Sequence, residues 1–283
     1  MRNIKVLQIK NTLKSLLIDA SFKIPADIIY AVKSFRQLED NARAAVILDM
    51  ILENSVIAAD QRLPLCQDCG TVYVDIGIGT DICIDNGPDF LEDEINKTVA
   101  EVYKNNYLRT SIVSDPFFER KNTGNNTPAI IDVDFKKREG LSIDVSLKGG
   151  GSENCSWLFM LNPSTEKGAI IDMVLKLVKE NASKACPPII VGIGMGSTAS
   201  EVLKLARKAV FRNLGLSNPD MRYRELEKKI LESVNKTGVG PQGLGGNTTA
   251  LACNIEFAPC HMATLPFAVM FGCHSTRRAS FML

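Results

Sequence analysis

Histidine, aromatic residues and unbalanced charge are what this chain has least of. Two histidines among 283 residues nearly exclude a metal centre built on imidazoles. Aromatic residues make up 6% of the chain, with one tryptophan, which argues against stacking on single-stranded nucleic acid. Thirty-three basic against 32 acidic residues give a net charge of +1, so there is no electrostatic footprint for nucleic acid or another polyanion. No apolar run approaches the roughly 20 residues that span a bilayer. Residues 1–10 are amphipathic and lack the apolar core and small-residue cleavage site of a signal peptide. No repeat and no low-complexity tract is visible. The expectation is a cytoplasmic protein with neither a nucleic-acid nor a membrane partner.

Cysteine, by contrast, is plentiful, with 8 in the chain. In a reducing compartment thiols suit metals better than disulfides. Residues 63–79 stand out. Cys66, Gln67, Asp68 and Cys69 crowd two thiols, a carboxamide and a carboxylate into four positions. An alternating strand follows, with Val72, Val74, Ile76 and Ile78 on one face. Polar groups at the mouth of a buried strand present chemistry from a rigid support. The two cysteines can be read as small core residues, as a C-x-x-C redox pair or as metal ligands. A redox pair should open a helix, and here a strand follows.

The periodicity predicts helices through residues 4–59. The first carries Val6, Ile9, Leu13 and Leu16 or Leu17, and the second starts at Pro25. The third is capped by Asn41, with Ala44, Val46, Ile47, Met50, Ile51 and Val56 inside. Another helix should run from Gly87-Pro88-Asp89 to Tyr107, with Phe90, Leu91, Ile95, Val99 and Val102 inward. Strands at 129–135 and 141–147 resemble a hairpin. Helices follow at 163–182, after Thr198 and at 219–235, with strands at 187–194, 247–257 and 265–271. This is an α+β (mixed α/β) pattern. Residues 1–60 form a possible helical subdomain on a mixed sheet, with glycine-rich loops around a site.

Three glycine clusters, at 149–151, 192–196 and 238–246, lie at strand ends or helix starts. Backbone without Cβ approaches ligands closely and can cradle an anion. Neither of the last two has dinucleotide or Walker spacing, so together they suggest a pocket for a small anion such as a carboxylate. Cys83, Cys155 and Cys253 read as packing residues. Cys66, Cys69, Cys260 and His261 could make a zinc site, and loop-borne Cys66, Cys186 and Cys273 could be three distant ligands of one centre. Spacing alone does not choose.

Taken together, Cys66-Gln67-Asp68-Cys69-Gly70, Lys148-Gly149-Gly150-Gly151-Ser152-Glu153-Asn154, Ala185-Cys186-Pro187-Pro188, the loop at 192–197 and Gly240-Pro241-Gln242-Gly243-Leu244-Gly245-Gly246 occur in an order that resembles one family. It is the α subunit, or N-terminal catalytic domain, of the iron–sulfur hydro-lyases: class I fumarate hydratases and L(+)-tartrate dehydratases. The resemblance covers nearly all of residues 1–283, read as one catalytic domain.

The resemblance implies a [4Fe-4S] cluster on Cys66, Cys186 and Cys273, with one iron left open to substrate. It implies that Gln67, Arg109 and Gly150 contact a small dicarboxylate, that Asp68 carries a proton and that His261 faces the substrate. It further implies reversible hydration of fumarate to L-malate, or the dehydration of L(+)-tartrate to oxaloacetate. A separate β subunit carrying the C-terminal hydro-lyase domain is expected, in an αβ or α2β2 assembly. The chain departs from the family at Cys69, where many relatives carry threonine. Cys260 competes with Cys273 as third ligand. A non-catalytic thiol–metal or redox-sensing protein is the alternative from a different class.

Overall fold

The computed structural model describes residues 2–85, 87–137 and 139–283. The chain divides into two compact units. The first comprises Met1–Pro25, Ile57–Gly150 and Arg277–Leu283, the second Ala26–Val56 and Gly151–Thr276. The first 60 residues therefore do not cluster as a helical subdomain of their own.

In the first unit, β1 (Arg2–Ile4) pairs in parallel with β3 (Ile82–Ile84). Helix α1 (Val6–Phe22) buries Ile9, Leu13, Leu16 and Leu17, a stripe at helical spacing. Strand β2 (Thr71–Ile78) lies inside a four-stranded sheet of order β10-β5-β2-β4, where β4 is Ile130–Phe135, β5 is Leu141–Lys148 and β10 is Arg277–Met282. Val72, Val74 and Ile76 point into the core, as their alternation predicts. Helix α4 (Gly87–Asn105) adds Leu91, Ile95, Val99 and Val102 to that core; the side chain of Phe90 lies outside the described residues.

The hairpin expected at 129–147 does not form. β4 pairs in parallel with β2 while β5 pairs antiparallel with β2, so β2 separates the two. A turn signal at Gly140 marks a reversal but not which strand is the neighbour. The sheet is mixed, and the fold is α+β.

The second unit holds α2 (Ala26–Leu38) and most of α3 (Ala42–Gln61), whose Asn41 Oδ1 accepts the N–H groups of Arg43 and Ala44 as an N-cap. Ala44 and Ile51 of α3 are buried as expected, with Leu48 beside them, but Val46, Met50 and Val56 are exposed, contrary to the expected inward set. A short helix, α5 (Gly150–Glu153), leads to β6 (Ser156–Leu161) and α6 (Lys167–Asn181). The sheet runs β6-β9-β7-β8, with β7 at Ile189–Gly196, β8 at Ala250–Ala258 and β9 at Leu265–Gly272. On one face Phe267, Val269 and Phe271 pack in a cluster with residues of α6 and of α8 (Met221–Asn235). On the other, Ala268 and Met270 pack with residues of α7 (Ala199–Phe211). Of the two candidate caps, Ser197 and Thr198, it is Thr198 that caps α7 by accepting the Glu201 N–H.

The cluster at 192–196 is not an anion loop. Gly192 and Gly194 lie within β7, and a Cβ on either would fall 2.4 Å from Ala206 O or 2.2 Å from Val202 O of α7. These glycines let helix and strand approach.

Candidate functional site

In the first unit, the turn at 66–70 enters β2 and is tied down from several sides. Tyr103 Oη donates to Cys69 O at 2.9 Å and lies 3.2 Å from Gly70 O. Burial pushes the Tyr103 hydroxyl well above its ordinary range. Asn126, fully buried, spans two segments: Nδ2 donates to Gly70 O at 3.1 Å and Oδ1 accepts from Ser111 N at 2.8 Å. Its φ of +61° is a left-handed conformation that asparagine tolerates. In sequence, Asn125-Asn126-Thr127-Pro128 reads only as turn chemistry. Ser111, Tyr103 and Asn126 gave no separate signal, because their role depends on partners up to 56 residues away.

Asp68 is the most constrained carboxylate here. Oδ1 accepts from Gly70 N at 3.0 Å and Ser111 Oγ at 3.3 Å, and Oδ2 accepts from Gly150 N at 2.7 Å. Asp68 and Gly150, two of the separately named site residues, are thus in direct contact. Gln67 is exposed, with Oε1 3.5 Å from Cys66 Sγ. Arg109 is exposed, and its backbone N–H donates to Cys69 Sγ at 3.2 Å. That bond joins the segment carrying Arg109 to the Asp68 turn.

The two cysteines of the turn are not equivalent. Cys66 is half-buried, whereas Cys69 is buried and faces the core. Burial raises the Cys69 thiol, against a smaller lowering from the Arg109 N–H. Cys69 is a packing residue with a hydrogen-bonded sulfur, and Cys66 is the accessible thiol.

In the second unit, Cys186 ends a 3-10 turn (Ala182–Ala185) with φ +52°, which presents an exposed side chain. Its carbonyl accepts from His274 N at 3.2 Å, placing the Cys186 turn beside the segment that carries half-buried Cys273. His274 Nδ1 lies 3.0 Å from Cys186 O and 3.2 Å from Gln242 Nε2, which also donates to Pro187 O at 3.1 Å. The glycine turn at 240–246 therefore supports the Cys186 turn through Gln242, whose φ is +54°. Gly240, at φ +69°, has Gly245 O 2.0 Å from where a Cβ would stand, so only glycine fits. Cys273 Sγ is 3.1 Å from Ser275 Oγ. His274 and Gln242 were not anticipated as a pair.

His261 is exposed on the β8–β9 connection, where Nδ1 accepts the Ala263 N–H at 3.1 Å; Cys260, also exposed, donates to Thr264 O. Cys155 and Cys253 are buried as expected, but Cys83 is exposed on β3 rather than in the core. That strand is three residues long, too short for its alternation to choose a face.

Cys66, Cys186 and Cys273 are soft sulfur donors that are partly or fully accessible, while Cys69, Cys155 and Cys253 are buried. As a donor set the first three fit an iron–sulfur cluster better than a hard cation. Among the described residues no group of three or more His, Cys, Asp or Glu side chains is arranged around one metal ion. No helix among them is long and apolar enough to cross a membrane.

The sequence profile of the fumarate hydratase (Fumerase) family matches residues 10–282. A Methanocaldococcus jannaschii protein, provisionally named L(+)-tartrate dehydratase subunit alpha, is 36% identical over 279 residues, covering 96% of each chain. The L(+)-tartrate dehydratase subunit alpha of Escherichia coli K12 is 28% identical over 265 residues, covering 93% of this chain and 86% of its own. An Escherichia coli UTI89 protein of the same name is 29% identical over 262 residues. With a match running almost end to end, a carboxylate locked by the Gly70 and Gly150 amides, and accessible cysteines in the expected turns, this chain belongs to the fumarate hydratase family of hydro-lyases.

Proposed function

We propose that this chain is the catalytic α subunit of an iron–sulfur hydro-lyase that hydrates fumarate reversibly to L-malate. The observation that carries the reading is Asp68, fixed by Gly70 N, Gly150 N and Ser111 Oγ within the turn that also bears Cys66 and Gln67. Residues 1–283 act as one catalytic domain, working in the cytoplasm where thiols remain reduced.

Cys66, Cys186 and Cys273 would hold a [4Fe-4S] cluster. When bound, such a cluster with an iron free of protein ligand supplies a Lewis acid for a substrate hydroxyl. The chain's own groups do the rest. Arg109 binds a substrate carboxylate, for which a guanidinium fork is suited. Gln67 and the backbone at Gly150 orient the dicarboxylate. Asp68, an acceptor anchored by two amides, holds or delivers a proton at its carboxylate. His261 stands on the substrate side. A β subunit, in an αβ or α2β2 assembly, supplies further cationic groups.

Dehydration of L(+)-tartrate to oxaloacetate is the second reading, favoured by the names of the curated relatives. The test is anaerobic co-purification with the partner subunit, followed by iron analysis and assay of both substrates. About four irons per chain and turnover of fumarate or L(+)-tartrate support the proposal. A zinc protein inactive on both defeats it. Preference for tartrate selects the second reading.

A further inference from the structure

Helix α3 has two apolar faces, and the fold of the chain uses one. Ala44, Leu48, Ile51, Ser55 and Ala58 are buried along one side. On the opposite side Arg43, Val46, Met50, Glu53, Ile57 and Asp60 are all exposed, and they follow one another in alternating steps of three and four residues. Exposure reaches 57% at Val46 and 60% at Met50. Scattered apolar residues on a surface are ordinary, but steps of three and four are the a/d spacing of a coiled-coil seam. α3 is one unbroken helix, so the stripe runs along a single face, with a cation at one end and a carboxylate at the other. This is why residue order points Val46 and Met50 inward: periodicity detects an apolar face without saying whose core it enters.

The charges identify what covers the stripe. A parallel second copy would set Arg43 against Arg43, Glu53 against Glu53 and Asp60 against Asp60, like charges in every charged layer. An antiparallel second copy, related by a two-fold axis between Ile51 and Leu52, sets Arg43 against Asp60 at both ends, Val46 against Ile57 inside them and Met50 against Glu53 at the centre. The Glu53 stem covers Met50 while its carboxylate turns to water, and a polar layer of this kind fixes register at a cost in stability. We propose that two copies of this chain associate through α3 in this antiparallel register. For the enzyme the contact selects α2β2 over αβ, a step that rests on the α-subunit reading; the contact itself needs only α3. One pair of helices of this length lies at the low end of specific interfaces, about 1,000 Å², so the dimer should dissociate in the micromolar range.

The test is sedimentation velocity on the full chain, alone and co-purified anaerobically with its partner subunit. The wild type should pass from one copy to two as concentration rises. Met50→Glu brings two more carboxylates to the centre of the seam and should raise the dimer Kd about 100-fold. Arg43→Asp and Asp60→Arg each put like charges at both ends and should raise it about 10-fold. Both suit the helix dipole, an acid near the N-terminus and a base near the C-terminus, so α3 should persist, and circular dichroism melting curves check that it does. An equimolar mixture of the two single variants should recover the wild-type Kd, because in a mixed pair both ends again join opposite charges. A wild type that stays single well above micromolar concentration overturns the inference. So does dimerisation unchanged in Met50→Glu, or a mixture that associates no better than its parts. If Met50→Glu loses the partner subunit but still self-associates, the stripe serves that subunit and the inference is overturned. A chain that dimerises as stated, yet joins no partner subunit and turns over neither dicarboxylate, keeps the contact and sinks the α-subunit reading.

Discussion

Asn126 is the residue on which the first unit's polar cluster should depend most for stability. Replacing it with alanine removes both ends of a fully buried carboxamide; the Ser111 N–H loses its acceptor, while the Gly70 carbonyl keeps Tyr103 Oη at 3.2 Å. Leaving a buried backbone group unpaired costs about 1–3 kcal/mol. Alanine at φ +61° adds about 1–2 kcal/mol that asparagine largely avoids. The expected loss is about 2–5 kcal/mol, a large share of the ~5–15 kcal/mol that holds a domain together. Asn126→Gly separates the two causes, since glycine accepts the left-handed conformation while losing the same hydrogen bonds; it should recover about 1–2 kcal/mol relative to alanine. The assay is urea unfolding followed by circular dichroism and by labelling of Cys69, a buried thiol of the first unit. If Asn126→Ala unfolds at the wild-type midpoint, the clasp contributes nothing. If alanine and glycine behave alike, the backbone argument is wrong.

Thiol reactivity should separate the cysteines: a maleimide at neutral pH should label Cys83, Cys186 and Cys260 quickly and Cys69 slowly, because burial both shields and raises the Cys69 thiol. Mass spectrometry of timed samples reads this, and early labelling of Cys69 would contradict its packing. Iron content after anaerobic reconstitution should survive Cys69→Ser and fall sharply with Cys66→Ser, Cys186→Ser or Cys273→Ser. In the second unit, Glu227 accepts from Arg212 Nη2 at 2.6 Å and from Ile255 N at 2.7 Å; Glu227→Ala leaves Arg212 paired with Glu256 Oε1 at 3.1 Å but strands the Ile255 N–H, and should cost about 1–3 kcal/mol in a denaturant titration. Asp220 caps α8, and the Arg222 side chain, then its N–H, draw the Asp220 carboxyl down to about 2 from 3.8. A depressed carboxyl stabilises fully above its unfolded value, so the cap's contribution should persist from pH 7 to about 4 and fade toward pH 2. Asp220→Ala should flatten that part of the stability profile, and an unchanged slope would refute the assignment.

Much of the local structure was legible from residue order. Val72, Val74 and Ile76 declared a half-buried strand by alternation, and Ile9, Leu13 and Leu16 declared a helix by their spacing. The family was legible too, because glycine turns and cysteine-bearing motifs recur in a fixed sequence that needs no coordinates. The tertiary structure decided what depends on neighbours distant in sequence. It set β2 between β4 and β5, so the expected hairpin was never a pairing. It showed that Gly192 and Gly194 serve helix packing, that Val46 and Met50 face outward, and that Cys69 is buried where Cys66 is not. Asn126 read in sequence only as turn chemistry because its meaning lies in partners far along the chain, and periodicity reports only which face of an element is apolar. Residue order fixes what each segment prefers; which polar groups meet is settled only when distant segments pack and every buried donor must find an acceptor.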